Sequence, residues 1–139
     1  MEENTQEGLD LVWEADYVTV YYDKEKQIGK VIWSGNPTDE KYKVPFNKLL
    51  EYGQTHLVKR FLSDTRKQGV VSPNNRKWFE KDMVPAAIKA GMVKAAVVTD
   101  GNAFKRYYLN LILSSINKFN IPMKICGDEQ SAIDFLMEE

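Results

Sequence analysis

The sequence predicts an α/β domain with a mixed, largely parallel sheet, an N-terminal β-hairpin and about four helices. Two segments dense in aromatic and β-branched residues, 17–22 and 28–35, are joined by the short polar stretch DKEKQ, which favours a hairpin. Strand-like and helix-like segments then alternate, as in parallel sheets with right-handed helical crossovers. The segment 92–101 is almost wholly apolar, as expected of a strand buried on both faces.

Length and composition fit one globular domain. We place it at 11–139, after a disordered tail at 1–10. Apolar residues make up 43% of the chain and charged residues 28%. The net charge of −1 gives no reason to expect nucleic acid as a partner, and no segment reaches the roughly 18 apolar residues of a membrane span. Because the N-terminus has no signal-peptide pattern, we expect a cytoplasmic protein.

The first half of the chain predicts a hairpin and one helix. A short strand at 11–13 precedes the hairpin. Thr38 is the predicted N-cap of a helix over 39–54, whose apolar face includes Phe46. Pro45 falls inside this helix, where a proline costs on the order of 3 kcal/mol. The helix is therefore either kinked at Pro45 or begins near it.

The second half predicts three more strands, at 57–64, 92–101 and 121–126. Ser72 with Pro73 begins a helix that ends on Gly91, has Ala90 on its inner stripe and bends at Pro85. A long helix at 102–119 should face inward through an apolar set, and Asp128 should begin a last helix at 129–137. That inward set is Phe104, Tyr108, Leu111, Ile112 and Phe119. Helices on one side of the sheet would leave its other face to a partner or second subunit.

Polar groups follow the third and fourth main strands. Asp64 ends one strand and Arg66 follows it, while Asp100 and Asn102 lie at the end of the next strand. Ligands of open parallel sheets bind outside such strand ends, so these groups should converge on one rim. Helix starts at Ser72 and Asn102 favour an anion, with Arg66 holding a carboxylate or phosphate. Alternatively, Asp64 and Arg66 bind nearby groups only to fix the loop, which a single D-x-R motif favours.

The sequence lacks the residues that several kinds of catalytic and metal-binding site require. His56 is the only histidine and Cys126 the only cysteine, so we expect no disulfide, zinc site or other metal site. No nucleophile motif, dinucleotide fingerprint or P-loop is present. We therefore expect no cofactor and no enzymatic activity.

The element order and the segment LSDTRKQGVV resemble the STAS domain, the SpoIIAA-like fold of bacterial anti-sigma-factor antagonists. The chain is most similar to stand-alone bacterial STAS/SEC14-domain proteins. This likeness covers about residues 11–137. It depends on the aromatic hairpin, on Asp64-Thr65-Arg66 and on the helix that carries Trp78, Pro85 and Gly91.

The resemblance implies a role for the loop after Asp64. Asp64 matches the acid of the family's phosphorylation loop and Thr65 matches its phospho-acceptor. Arg66 and Lys67 depart from the small residues of that loop and would partly neutralise a phosphate. The SEC14 part of the likeness implies an apolar ligand between helices and sheet, for which a chain of this length leaves little room.

These observations predict a homodimeric, non-enzymatic interaction module. Its unidentified protein partner would bind the rim at 64–71 and the helix from Ser72, with Trp78 as an anchor. The alternative is a domain that binds a small anionic or apolar ligand in a pocket at the carboxyl ends of the strands.

Overall fold

The computed structural model describes residues 8–138, apart from the side chains of residues 103, 104, 108 and 115. The protein is an α/β domain built on one six-stranded mixed sheet, which confirms the predicted fold class. Residues 1–7 of the predicted tail lie outside this range. Within the described residues, no helix has the length and apolar character to span a bilayer.

The six strands lie side by side in chain order. The first three strands pair in antiparallel fashion, and the third to sixth strands pair in parallel fashion. Leu9 and Asp10, which we had assigned to the tail, pair with the second strand. The strands are β1 (Leu9–Ala15), β2 (Val18–Asp23), β3 (Ile28–Trp33), β4 (Arg60–Asp64), β5 (Lys94–Val98) and β6 (Met123–Cys126).

Helical segments join the parallel strands. α1 (Asp39–Tyr52) connects β3 to β4, and α4 (Ala103–Ile116), with a 3₁₀ turn at Asn117–Phe119, connects β5 to β6. The β4–β5 connection has three parts, and α5 (Glu129–Met137) ends the chain. Those parts are α2 (Pro73–Trp78), a π-helical segment (Phe79–Met83) and α3 (Val84–Lys89).

The helix starts are those that the sequence predicted. Thr38, Ser72 and Asp128 are N-caps, and each side chain accepts a hydrogen bond from the backbone amide three residues on. Such caps satisfy amides that have no partner inside the helix. The boundaries of α1, α2 and α5 are therefore set by local chemistry.

The two faces of the sheet bury different helices, because successive strand residues point to opposite faces. Phe61 and Val97 belong to the larger core, which includes side chains from α1, α3 and α4. Leu62, Ala96 and Val98 pack instead with α5. Helices on one side alone would leave the other face to a partner, but α5 occupies part of that second face.

α1 continues through Pro45 without a break, so it does not begin there. Because proline has no N–H, the carbonyl of Lys41, four residues earlier, loses its helical partner. The hydroxyl of Tyr17 donates a hydrogen bond to this carbonyl at 2.7 Å. The turn between β1 and β2 thus supplies the donor that the helix lacks.

A π-helical segment comes directly before Pro85, where the sequence predicts a bend. Pro85 is the second residue of α3, and just before it the amide of Val84 donates to the carbonyl of Phe79, five residues back. A π turn inserts an extra residue and shifts which side chains face inward. Val84 is buried as a result, whereas Ala90, which we expected on the inner stripe, is exposed.

α4 faces the core with a stripe that matches the predicted one only in part: Ile112 packs against the core as predicted. Lys105, Leu109 and Ile116 are buried, and Leu111 is 52% exposed. Residues two apart lie about 200° apart around an α-helix, so Leu111 cannot share the face of Leu109. The predictions for the side chains of Phe104 and Tyr108 fall outside the described residues.

Candidate functional site

Asp64 and Arg66 form a closed pair at the end of β4. The Nε and one terminal nitrogen of Arg66 donate to the two carboxylate oxygens of Asp64 at 3.0 and 2.7 Å. The backbone amide of Arg66 donates to the same carboxylate at 3.1 Å. These hydrogen bonds, more than the nearby charges, raise the pKa of Arg66 above its ordinary value. This geometry is that of the loop-fixing alternative.

The start of α5 brings further acids towards this pair. The charges of Asp128 and Glu129 both act on Arg66. Glu129 also accepts a 3.0 Å hydrogen bond from the buried Nζ of Lys30 on β3. The pKa of Asp128 lies below its ordinary value because Ser131 donates two hydrogen bonds to it, with a smaller contribution from Arg66. Since carboxylates surround the guanidinium of Arg66, its predicted grip on an anion is not favoured.

Lys105 of α4 is a site residue that the sequence analysis missed. It is only 5% exposed, and its Nζ donates to the backbone carbonyls of Thr65 and Gln68, both at 2.9 Å. The same nitrogen lies 3.2 Å from Oδ2 of Asp100. A buried ammonium group costs several kcal/mol unless it has such partners. Lys105 therefore ties the loop after β4 to the segment after β5.

Asp100 and Asn102 lie where the sequence predicted, beside this loop. Oδ1 of Asp100 accepts from the amide of Asn102 at 3.0 Å, and Oδ1 of Asn102 accepts from the amide of Lys105 at 3.1 Å. The hydrogen bond from the Asn102 amide is the main cause that lowers the pKa of Asp100. Through Lys105, the ends of β4 and β5 meet at one rim. We call Lys105 and its three oxygen partners the lysine cluster.

Thr65 is buried within the same arrangement. Its hydroxyl donates to the carbonyl of Val98 at 2.8 Å. Phosphorylation of Thr65 stays a prediction of the family resemblance, and it requires the hydroxyl to leave this hydrogen bond.

The loop that the lysine cluster holds, residues 65–71, is named here the rim loop. Thr65, Gln68 and Val71 are its buried side chains. Arg66, Lys67 and Val70 point to solvent, and Val70 is 49% exposed. The rim loop is therefore anchored from below and presents two cations and an apolar side chain.

A polar pocket of about 220 Å³ lies next to the rim loop, where α1 and α2 begin. Of the predicted site residues, Ser72 lines this pocket, whereas Arg66 and Asn102 do not. Of the three residues of the predicted anion site, this pocket therefore includes only Ser72, and anion binding by the three together stays a prediction. The polar walls are Asn36, Asp39, Gln68, Ser72 and Asn75, and Tyr42 contributes an aromatic wall.

Asn75 contributes an unusual group to this pocket. The residue is 3% exposed, and its Nδ2 donates to Oδ1 of Asp39 at 3.3 Å. Its own Oδ1 is buried and has no hydrogen-bond partner among the described residues. An unpaired buried acceptor of this kind costs about 1–3 kcal/mol.

Trp78, the predicted anchor, packs mainly inside the protein. Its ring lies 6.2 and 5.7 Å, between centroids, from the rings of Tyr42 and Phe46 on α1. Nζ of Lys43 lies 5.7 Å from the same ring. A substitution of Trp78 would therefore loosen the packing between α1 and α2 as well as alter the surface.

An apolar cavity of about 80 Å³ lies between the helices and the sheet. Phe46, Phe61 and Leu109 are among its walls. Ligand pockets typically measure about 300–1,000 Å³, so this space is small for a lipid. The expectation that side chains fill most of the interior agrees with this volume.

His56 and Cys126 are the remaining candidates for chemistry. His56 stacks on Tyr52 with centroids 4.1 Å apart, and burial raises the pKa of the Cys126 thiol. Across residues 8–138, no three side chains of His, Cys, Asp or Glu are placed to hold a metal ion together.

No family model, curated protein or solved structure matches this chain. The STAS resemblance therefore stays a prediction, and the function has to be argued from the rim and the polar pocket.

Proposed function

We propose that this protein is a non-enzymatic interaction module that binds a protein partner through the rim loop. The proposal includes a STAS-type, SpoIIAA-like fold, a cytoplasmic location and a homodimeric state. The antiparallel start of the sheet, the helical crossovers after it and Asp64-Thr65-Arg66 at the end of β4 support the STAS part.

The observation that carries the proposal is the lysine cluster. A connection between a strand and a helix does not need a buried ammonium group, which is costly to desolvate. Here Lys105 makes three contacts with oxygens that fix the backbone of the rim loop from within. A loop held in this way loses little conformational entropy when it binds a partner.

The exposed side of the rim loop fits recognition of a protein surface. Lys67 and Val70 place a positive charge close to an apolar side chain, and neighbouring Arg66 is held in one geometry by Asp64. Rigid loops on a sheet scaffold commonly carry binding functions. A partner with an apolar patch and acidic groups around it fits this surface.

The state of Asp64 supports a non-enzymatic role. Both of its carboxylate oxygens accept hydrogen bonds from Arg66, and the residue is largely buried. A general base must reach the proton that it removes. Asp64 is instead committed to holding the loop.

The test compares two double variants in partner capture from extracts of the source cells. Lys67→Glu with Val70→Ser changes the rim loop, and Lys89→Glu with Val93→Ser is the matched control. Val70 and Val93 are 49% and 46% exposed, and both lysines are exposed. Val93 precedes β5, so the control lies towards the opposite end of the parallel strands.

We expect a protein retained by the wild type and the control to be lost by the rim variant, with all three unfolding at the same temperature. The purified partner should then bind the rim variant at least about tenfold more weakly, since exposed hot-spot side chains contribute over 1 kcal/mol each. Equal binding by all three proteins would contradict the proposal.

A further inference from the structure

We propose that the polar pocket at the start of α1 and α2 binds a small organic cation with N–H donors, such as an alkylguanidinium or primary ammonium compound. Asp39 and Asn75 would be its main ligands. Gln68, Val70 and Val71 of the rim loop also line this pocket, but neither of the two main ligands belongs to the loop, and the proposal does not depend on the partner.

The first argument is the unpaired Oδ1 of Asn75. Natively buried acceptors nearly always have a donor, from the protein, from water or from a ligand. The rest of Asn75 is well held: its backbone amide donates to Oγ of Ser72 at 3.1 Å and its Nδ2 donates to Asp39 at 3.3 Å. The side chain is thus fixed with one acceptor left open in a residue that lines the pocket.

The second argument is charge. Asp39 is the only charged residue among those that line the pocket. Because Nδ2 of Asn75 contacts its carboxylate, the unpaired buried acceptor and the negative charge are neighbours. A donor group with two or three N–H bonds, such as a guanidinium or an ammonium, could satisfy both at once.

An anion is the obvious competitor, because helix N-termini attract negative charge. At each of these two helix starts, a side-chain cap already accepts from one amide. Oγ1 of Thr38 accepts from the amide of Lys41, and Oγ of Ser72 accepts from the amide of Asn75. Asp39 and Glu40 also place two carboxylates in the first turn of α1. An added anion would meet these charges without a free cap.

The size of the pocket suits a small ligand. Its volume of about 220 Å³ far exceeds the roughly 10–15 Å³ needed for one water molecule. The Tyr42 side chain adds an aromatic wall, which favours a cation. Methylguanidinium is therefore a fitting probe.

The experiment is a titration of the full chain with methylguanidinium chloride at millimolar concentrations, with ionic strength held constant by NaCl. Binding is followed by ¹⁵N NMR of the Asn75 side-chain amide and by the unfolding temperature. Sodium acetate and sodium phosphate are the anionic comparators. We expect saturable shifts of the Asn75 signals and a raised unfolding temperature with methylguanidinium only.

Asp39→Asn should weaken methylguanidinium binding at least about tenfold, because it removes a charge-assisted hydrogen bond. Glu40→Gln is the matched control, since it removes the same charge one residue on, outside the pocket lining. It should bind as the wild type does. Asn75→Leu is a second variant, and it should also lose binding while keeping its fold.

Three results would overturn the proposal: no saturable shift with methylguanidinium, a larger response to acetate or phosphate, or equal weakening by Asp39→Asn and Glu40→Gln. None of them would affect binding of a protein to the rim loop, which the rim variant tests separately.

Discussion

Two polar clusters at the carboxyl edge of the sheet differ in one respect. In the lysine cluster, the buried ammonium of Lys105 is surrounded by three oxygens. In the polar pocket, the buried Oδ1 of Asn75 has no hydrogen-bond partner among the described residues. The two lie close together, since Gln68 belongs to both. One cluster is complete within the chain and the other is not.

This difference gives the two clusters different roles, one in supporting the fold and one in binding a ligand. A satisfied buried network makes the surrounding backbone rigid, whereas an unsatisfied group lowers stability until something binds it. We therefore assign the lysine cluster to holding the rim loop in place, and the polar pocket to contact with a ligand.

The largest expected effect is that of Lys105→Met. The change keeps a long side chain but removes the Lys105 donor from the carbonyl of Gln68 and one of the two donors from that of Thr65, which still accepts from the Gln68 amide. We expect the free energy of unfolding to fall by about 2–4 kcal/mol, measured by urea denaturation.

Lys118→Met is the control for this change. Lys118 pairs with Glu80 at 3.4 Å, and its side chain is largely exposed. Surface pairs contribute at most about 1 kcal/mol, so this variant should unfold much like the wild type. If Lys105→Met also cost less than about 1 kcal/mol, the lysine cluster would not be the support that we describe.

A smaller effect, near zero, is expected for Asn75→Leu. This change loses the hydrogen bond to Asp39 but also removes the unpaired acceptor. The two contributions oppose each other, so the free energy of unfolding should stay unchanged or rise by up to about 1 kcal/mol. A loss of more than about 2 kcal/mol in the same urea assay would show that the pocket is closed, and the comparison between the clusters would fail.

The sequence predicted those parts of the fold that depend on neighbours along the chain. The N-caps Thr38, Ser72 and Asp128 were identified because a cap acts within three residues. The hydrophobic pattern placed the end of β4 at Asp64, whereas β5 ends at Val98, three residues before the predicted end at 101. The same patterns located Asp64 and Asp100 at one rim.

The features that were missed depend on contacts between distant residues. Lys105 lies 40 residues from Thr65, and Asn75 lies 36 residues from Asp39. Nothing local marks either side chain as buried. The only signal for Lys105 was its spacing with Leu109 and Ile116, which placed a lysine on the apolar stripe of α4. Tyr17 likewise completes the turn of α1 at Pro45 from 24 residues before Lys41.

The most direct test of a preformed rim loop is amide hydrogen exchange, residue by residue, in the protein alone. The amides of Thr65, Arg66 and Gln68 donate to Val98, Asp64 and Thr65 respectively. We predict that all three exchange at least about a hundredfold more slowly than in an unstructured peptide. Exchange at the rate of an unstructured peptide would contradict the account, because the loop would then have no fixed shape to offer a partner.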